Sequence, residues 1–395
     1  MRSLLLQIVA VTTINLKSLP QRLWLSLSTV IAVALVVMVL LSFLAMANGF
    51  KRTIAGSGSP DVAVLLRAGA ESELNSVVTR DQVRLIEEAP GVAKTADGKP
   101  LISAELYLVV DGVKRSTGTK ANLPLRGIGP QGGALRPGVS IVKGRMFNPG
   151  SNEIVVGKGL LGAFGGFELG QTVAFGTSRW KVVGVFSTGG SVFESEIWAD
   201  LPVVQSLFRR NNVIQTIRLR LTSPAALAEL KAYNDNDPRL KLDVKSEADY
   251  FAGQASQTTS LIQILGWPLA IAMAIGALAG ALNTMYSSVA ARTTEIATLR
   301  AIGFGGFPAF AGTLAESLVL SAAGGATGAL ATYLVFDGFT TSTLGASFTQ
   351  VVFTFQLSPA LIGQGVALAL AIGFAGGLFP AIRAARTPIV RGLYG

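Results

Sequence analysis

The residues whose types and spacing come closest to a functional pattern lie in Ala291-Arg-Thr-Thr-Glu-Ile-Ala-Thr-Leu-Arg-Ala-Ile-Gly303. A helix from about Thr293 to Ile302 would set Arg292, Glu295, Leu299 and Gly303 on one face, at steps of three and four. Ile296, Leu299 and Ile302, with Arg300 beside them, form an adjoining apolar surface that a partner's groove could hold. Such a set pairs charges and buries apolar area; it contains no nucleophile and no proton shuttle. On the residues alone, a short loop helix with its charges facing water and lipid headgroups accounts for them equally well.

Covalent chemistry is hard to build from the rest of the chain. There is no Cys and no His, which removes thiol nucleophiles, disulfides, Cys/His zinc sites and imidazole acid–base catalysis. No G-x-x-x-x-G-K-[ST] occurs: Gly157-Lys158-Gly159 and Gly98-Lys99-Pro100 lack the spacing and the following hydroxyl. The chain is therefore expected to hold no cofactor, metal or catalytic residue of its own, and not to be an enzyme by itself. Any ATP-driven motor is expected on a separate polypeptide. Carboxylates such as Glu194 and Glu196 show no catalytic spacing and read as loop residues. The net charge of +10 is spread over short collars and a mixed-charge domain, which argues against nucleic acid as a partner.

The elements that must position these residues are set by hydropathy. Half of the 395 residues are hydrophobic, and mean hydropathy is +0.51, too apolar for an ordinary soluble protein. Residues 23–47, 261–286, 307–336 and 359–382 each reach the ~20 apolar residues that span a bilayer. Pro268 would kink the second or mark a change in its direction. Ala45-Met46-Ala47 resembles a signal-peptidase site, but the long N-terminal region containing Pro20 and the long apolar run fit an uncleaved anchor better. Arg2, Lys17 and Arg22, then Arg292 and Arg300, then Arg383, Arg386 and Arg391 flank one side of these spans, whereas the 337–358 connection has no basic residue. Both termini, the 287–306 loop and the 383–395 tail are thus expected in the cytoplasm, and 48–260 outside. Residues 1–22 read as an interfacial helix or a plain extension of the first span. Glu316 lies inside the third span, where a packing or hydrogen-bonding role near the cytoplasmic end competes with an ion relay. Gly324, Gly325 and Gly328 permit close helix approach.

The fold expected is membrane α-helical, with four transmembrane helices, plus an α+β extracytoplasmic domain. Asp61–Arg67, a helix opened by the Thr79-Arg-Asp-Gln82 capping box, and a strand near Leu101 make one β-α-β unit over about 60–110. A second covers about 212–246. They bracket a β-rich insertion over about 111–210, and a stalk helix over about 246–260 leads into the second span.

The Ala291–Gly303 motif is followed by Glu316-Ser-Leu and the small-residue run Ser321–Gly328. Near the end stands Gly376-Gly-Leu-Phe-Pro380-Ala-Ile-Arg383-Ala-Ala-Arg386-Thr-Pro388. Together these resemble the FtsX-like permease family, and Glu153–Gly157, Gly170–Val173 and Val182–Phe186 look like that family's periplasmic core domain. Thr387-Pro388 follows the arginine more closely than the family's usual spacing. The resemblance implies a type VII ABC transporter permease of a bacterial inner membrane. Arg292, Glu295, Ile296, Leu299, Arg300 and Gly303 would form a coupling helix docked on an ATPase subunit that carries ATP and Mg. It further implies a homodimer or heterodimer with a second permease chain, and mechanotransmission that exports or extracts periplasmic or outer-leaflet cargo. Macrolide-exporter relatives work with a periplasmic adaptor and outer-membrane channel. The alternative is FtsX-like signalling to a cell-wall hydrolase, with nothing transported.

Overall fold

The computed structural model describes residues 2–136, 138–345 and 347–389, so Arg391 of the basic tail lies outside the described residues. The chain opens with α1 (Arg2–Lys17), α2 (Leu23–Ala55), β1 (Val62–Arg67), α3 (Arg80–Glu87), β2 (Ile102–Lys114) and β3 (Lys120–Ile128). It continues with β4 (Ser140–Gly144), β5 (Glu153–Gly157), α4 (Lys158–Ala163), β6 (Phe164–Gly165), β7 (Thr172–Phe175), β8 (Ser178–Ser187), β9 (Ile197–Asp200) and α5 (Leu201–Leu207). Then follow β10 (Thr216–Arg220), α6 (Ala226–Asn236), β11 (Leu242–Ser246), α7 (Glu247–Ala291) and α8 (Thr293–Ala301). The last are α9 (Gly306–Phe336), β12 (Thr340–Leu344), β13 (Gln350–Thr354) and α10 (Pro359–Arg386). These form two compact units: Met1–Asn48, Leu261–Phe339 and Phe355–Gly395 make the helical one, and Gly49–Ser260 with Thr340–Thr354 the mixed one.

Among the described residues, four helices are long and apolar enough to cross a membrane: Leu19–Ala55, Glu247–Ala291, Gly306–Phe336 and Pro359–Arg386. Their shared core is built mainly from small and β-branched residues: Val33, Val36 and Val37 of α2, Ala277 of α7, Ala329 of α9 and Ala369 of α10. Glycine lets the backbones meet. A Cβ on Gly324 would stand 2.8 Å from that of Val33, and one on Gly325 would stand 2.8 Å from that of Ala369. One on Gly328 would come within 2.5 Å of the Ala34 carbonyl. Without a hydrophobic drive between helices in lipid, close packing of this kind is what holds them. The stalk expected over 246–260 and the span expected over 261–286 are a single 45-residue helix, α7, unbroken through Pro268. At 1.5 Å per residue it is roughly 68 Å long, more than twice a bilayer's hydrocarbon thickness. At the other end of the size range, α10 starts on a Ser358 cap with Pro359 in its first turn and finishes with Arg383 and Arg386, the arrangement that suits both helix ends.

The mixed unit differs from the sequence expectation in its wiring. Two separate β-α-β units are not present: the strand order β11-β1-β10-β2 interleaves them in one antiparallel sheet. β1 and β2 run parallel with β10 between them, a split β-α-β arrangement. Interleaving buries both helices on one sheet face, where α3 and α6 cover Leu65, Ile217 and Leu219; neither three-element unit could enclose a core alone. The sheet then continues from β2 through β3, β9, β5, β8 and β4, with parallel pairs β3–β9 and β5–β8. Trp180, Phe164 and Phe167 fill that half. A further difference concerns the 337–358 connection, expected as a plain loop. It contains the β12–β13 hairpin, paired from Thr340↔Thr354 to Leu344↔Gln350. Its β-branched runs, Thr340-Thr-Ser-Thr and Val351-Val, favour a strand. The Val352 amide donates to Ser195 Oγ at 2.9 Å, and the Thr349 and Tyr107 hydroxyls meet at 2.8 Å.

Candidate functional site

α8 is fastened at both ends. At its start, Arg292 is buried and reaches Glu316 of α9 (Nη1 to Oε2, 3.4 Å) and Glu295 of α8 itself (Nε to Oε2, 3.0 Å). Ser288 near the end of α7 donates to Glu316 Oε1 at 3.2 Å and accepts from Arg22, just before α2, at 2.7 Å. At the far end of α8, Arg300 donates to the Thr387 carbonyl where α10 ends. A buried charge without a partner is expensive, so these contacts fix the helix against α7, α9 and α10. Glu316, for which no basic partner is visible within the spans themselves, takes one from the loop.

The C-terminus of α8 carries a full Schellman cap. The Phe304 amide donates to the Leu299 carbonyl at 3.0 Å and the Gly303 amide to the Arg300 carbonyl at 3.1 Å. Gly303 has φ +103°, a conformation that side-chain-bearing residues rarely adopt. Gly303 thus ends the helix. The face expected from spacing also needs correction. Ile296 points inward against Val289, Ala309 and Ala384, Arg292 points inward to Glu316, and Leu299 is half-buried. The outward face consists of Thr294, Glu295, Thr298, Ala301 and Ile302, the last 69% exposed. The sequence pattern located the helix but could not tell an intramolecular face from an intermolecular one.

Pro380 is buried within α10, whereas Arg383 and Arg386 are exposed near its end. The Arg383 guanidinium lies 5.7 Å from the Tyr286 ring centre, within range of a cation–π contact.

The mixed unit holds a second constellation that spacing did not reveal. Arg126, Arg136 and Arg218 are buried with Glu73, Glu105, Glu196 and Glu247. Arg218 on β10 bridges three carboxylates: Glu73 (2.6 Å), Glu105 (3.2 Å) and Glu247 at the start of α7. Arg126 on β3 is bidentate to Glu196 (2.9 and 2.7 Å) and reaches Glu73 (2.7 Å) and Glu105 (3.0 Å). Arg136 is bidentate to Glu105, and the Trp198 indole donates to Glu196 at 2.7 Å. Burial pushes the Glu105 carboxyl up, but Arg136, Arg126 and Arg218 together outweigh it and hold the group down to about 2. Burial also opposes ionisation of Glu196, which Arg126 and Arg136 nevertheless keep below the usual carboxylate range. Glu196 does lie in a loop, directly before β9, but it is buried in this network rather than solvated. The only advance signals were charges set within otherwise apolar strands, such as Arg218 in Thr216-Ile-Arg-Leu-Arg220.

The family described as the MacB-like periplasmic core domain matches residues 26–233, more than half of the chain, and that described as FtsX-like permease C-terminal matches 268–389. The chain belongs to the MacB-like, FtsX-like ABC permease family. Macrolide export ATP-binding/permease protein MacB 1 of Aeromonas hydrophila is 27% identical over 293 residues, 68% of this permease and 43% of the relative. Pyoverdine export ATP-binding/permease protein PvdT of Pseudomonas entomophila is 25% identical over 409 residues, 93% of this chain and 56% of its own. This permease thus spans about half the length of the curated relatives it matches. Among solved structures, the periplasmic region of MacB from Actinobacillus actinomycetemcomitans aligns at a TM-score of 0.37 and 15% identity, covering 53% of this chain and 97% of that one.

Proposed function

We propose that this chain is the membrane-spanning permease subunit of a bacterial ABC transporter working by mechanotransmission in the inner membrane. A separate ATPase subunit, carrying ATP and Mg, docks on the outward face of α8. The observation that carries this reading is the double fastening of α8, through Arg292–Glu316 to α9 and through Arg300–Thr387 to α10. A helix held in this way cannot be displaced without moving the spans it is tied to. Cargo is handled on the outer domain or the outer leaflet, and the spans transmit motion without being crossed. In support, the contacts of Gly324, Gly325 and Gly328 are too close to leave a conduit there. A second permease chain completes the complex. Of the four spans α7 is the least covered by the rest of the chain, and it exposes Ile264, Leu265, Ile271 and Ile275, which offers that second chain an apolar face. An adaptor and outer-membrane channel belong to the same reading, by analogy with exporters of this family.

Orientation tests the proposal, because an ATPase in the cytosol can reach α8 only if both termini lie there. The absence of Cys allows single cysteines to be placed at will. An impermeant thiol reagent added from outside should label Ser140→Cys and Ser342→Cys but not Ser287→Cys. Labelling of Ser287→Cys alone would invert the topology and remove α8 from the reach of the ATPase.

A further inference from the structure

One helix face near the end of α10 carries Phe379, Ile382, Arg383 and Arg386 at steps of three, four and seven, so it turns from apolar to basic within two turns. The face opens onto a groove of about 750 Å³, bounded also by Tyr286 and Val289 of α7 and by Thr293 and Thr294 of α8. Phe379 is 60% exposed. No carboxylate lines the groove, and neither Arg383 nor Arg386 meets one among the described residues. Arg292, a few residues away, shows the contrast, with both Glu316 and Glu295 in reach. The two groove arginines are left facing an anion-sized requirement that the chain's described residues do not meet.

Depth narrows what can meet it. At 28 residues, α10 is roughly 42 Å long, some 12 Å beyond a ~30 Å hydrocarbon core. On the membrane-spanning reading above, on which this inference rests, Phe379 and Ile382 stand where acyl chains give way to glycerol, and Arg383 and Arg386 stand one turn further out. Long basic side chains at such a helix end reach toward the headgroup layer. An acidic protein segment would satisfy the guanidinium groups but would leave the exposed Phe379 and the half-buried Ile382 uncovered, whereas a lipid satisfies both. We propose that this groove binds an anionic glycerophospholipid, its phosphate held between Arg383 and Arg386 and its glycerol and acyl portion laid over Phe379 and Ile382. Basic recesses between spans on the cytoplasmic side are suited to this ligand.

The test uses the full chain in nanodiscs of phosphatidylcholine with a minor fraction of phosphatidylglycerol. Native mass spectrometry of the released protein counts the lipids retained. Wild type should keep phosphatidylglycerol over phosphatidylcholine by about thirtyfold, the factor that two guanidinium contacts supply. Arg383→Gln/Arg386→Gln should lose that preference, and Arg383→Lys/Arg386→Lys should keep most of it. Excess inorganic phosphate should not compete, which separates a lipid from a free anion. An equal preference in the Gln double variant, or none in wild type, would overturn the proposal. So would a photoreactive residue at Phe379 that captures a protein and no lipid. Failure of the membrane reading itself would look different, because the chain would not enter nanodiscs at all.

Discussion

Replacing Arg218 with alanine should loosen the whole mixed sheet, lowering amide-exchange protection in β1, β2 and β10 by 10²-fold or more. Its guanidinium serves Glu73, Glu105 and Glu247 at once, so truncation strands several buried carboxylates. Breaking a buried ion pair from one side costs about 3–5 kcal/mol, and each ~1.4 kcal/mol is tenfold in the opening equilibrium. Arg218→Lys should fall between wild type and alanine, because an ammonium cannot reproduce a planar three-way fork. A change below about fivefold in the alanine variant would mean that the network is not holding the sheet. The same network sets a pH dependence. Glu105, ordinarily near 4.5, is held at about 2, and Glu196 is also depressed. Their contribution is therefore complete above about 4.5 and is lost as pH falls from there toward 2. Exchange protection in β2 should decline across that acidic window.

The second large effect is expected at the other charge pair. Arg292→Ala leaves Glu316 buried, with the Ser288 hydroxyl as its remaining donor, and frees Glu295. Loss of about 3–5 kcal/mol of local stability is expected, seen as a fall of 10²-fold or more in protection across α8. Because α8 is the proposed docking element, ATP hydrolysis should at the same time become uncoupled from the permease. Arg292→Met combined with Glu316→Leu removes both charges and should restore most of the protection, since an apolar pair of similar volume is often neutral. If the double variant were as loose as Arg292→Ala, the pair would not be what anchors α8.

Much of this architecture was legible in the residues, and what was not has identifiable causes. Apolar runs announce spans directly, because a bilayer imposes length and composition, and four such helices are present among the described residues. The capping box at Thr79 forms as read, with the Gln82 amide donating to Thr79 Oγ1 at 3.2 Å. Strand partners were not legible. The order in which β1, β10 and β2 pair depends on long-range contacts that no local pattern encodes, and so two units were expected where one interleaved sheet exists. The hairpin at 340–354 did leave a signal, the β-branched runs Thr340–Thr343 and Val351-Val352, but runs this short are ambiguous by local pattern alone. At the candidate site, helical spacing grouped Arg292 with Glu295 correctly. It could not place Glu316, 24 residues away in sequence from Arg292, beside them. Nor could periodicity reveal that Ile296 and Arg292 serve the chain's own core while Thr298 and Ile302 face outward.

If α8 meets an ATPase, photo-crosslinking in intact cells from residues on its outward face will capture that subunit. A photoreactive amino acid at Thr298 and, separately, at Ile302 should each yield an adduct whose partner, identified by mass spectrometry, contains a P-loop. The same probe at buried Ile296 should yield none. Adducts to lipid alone from both outward positions, or to proteins without a nucleotide-binding motif, would contradict the account and return α8 to a loop helix lying in the headgroups.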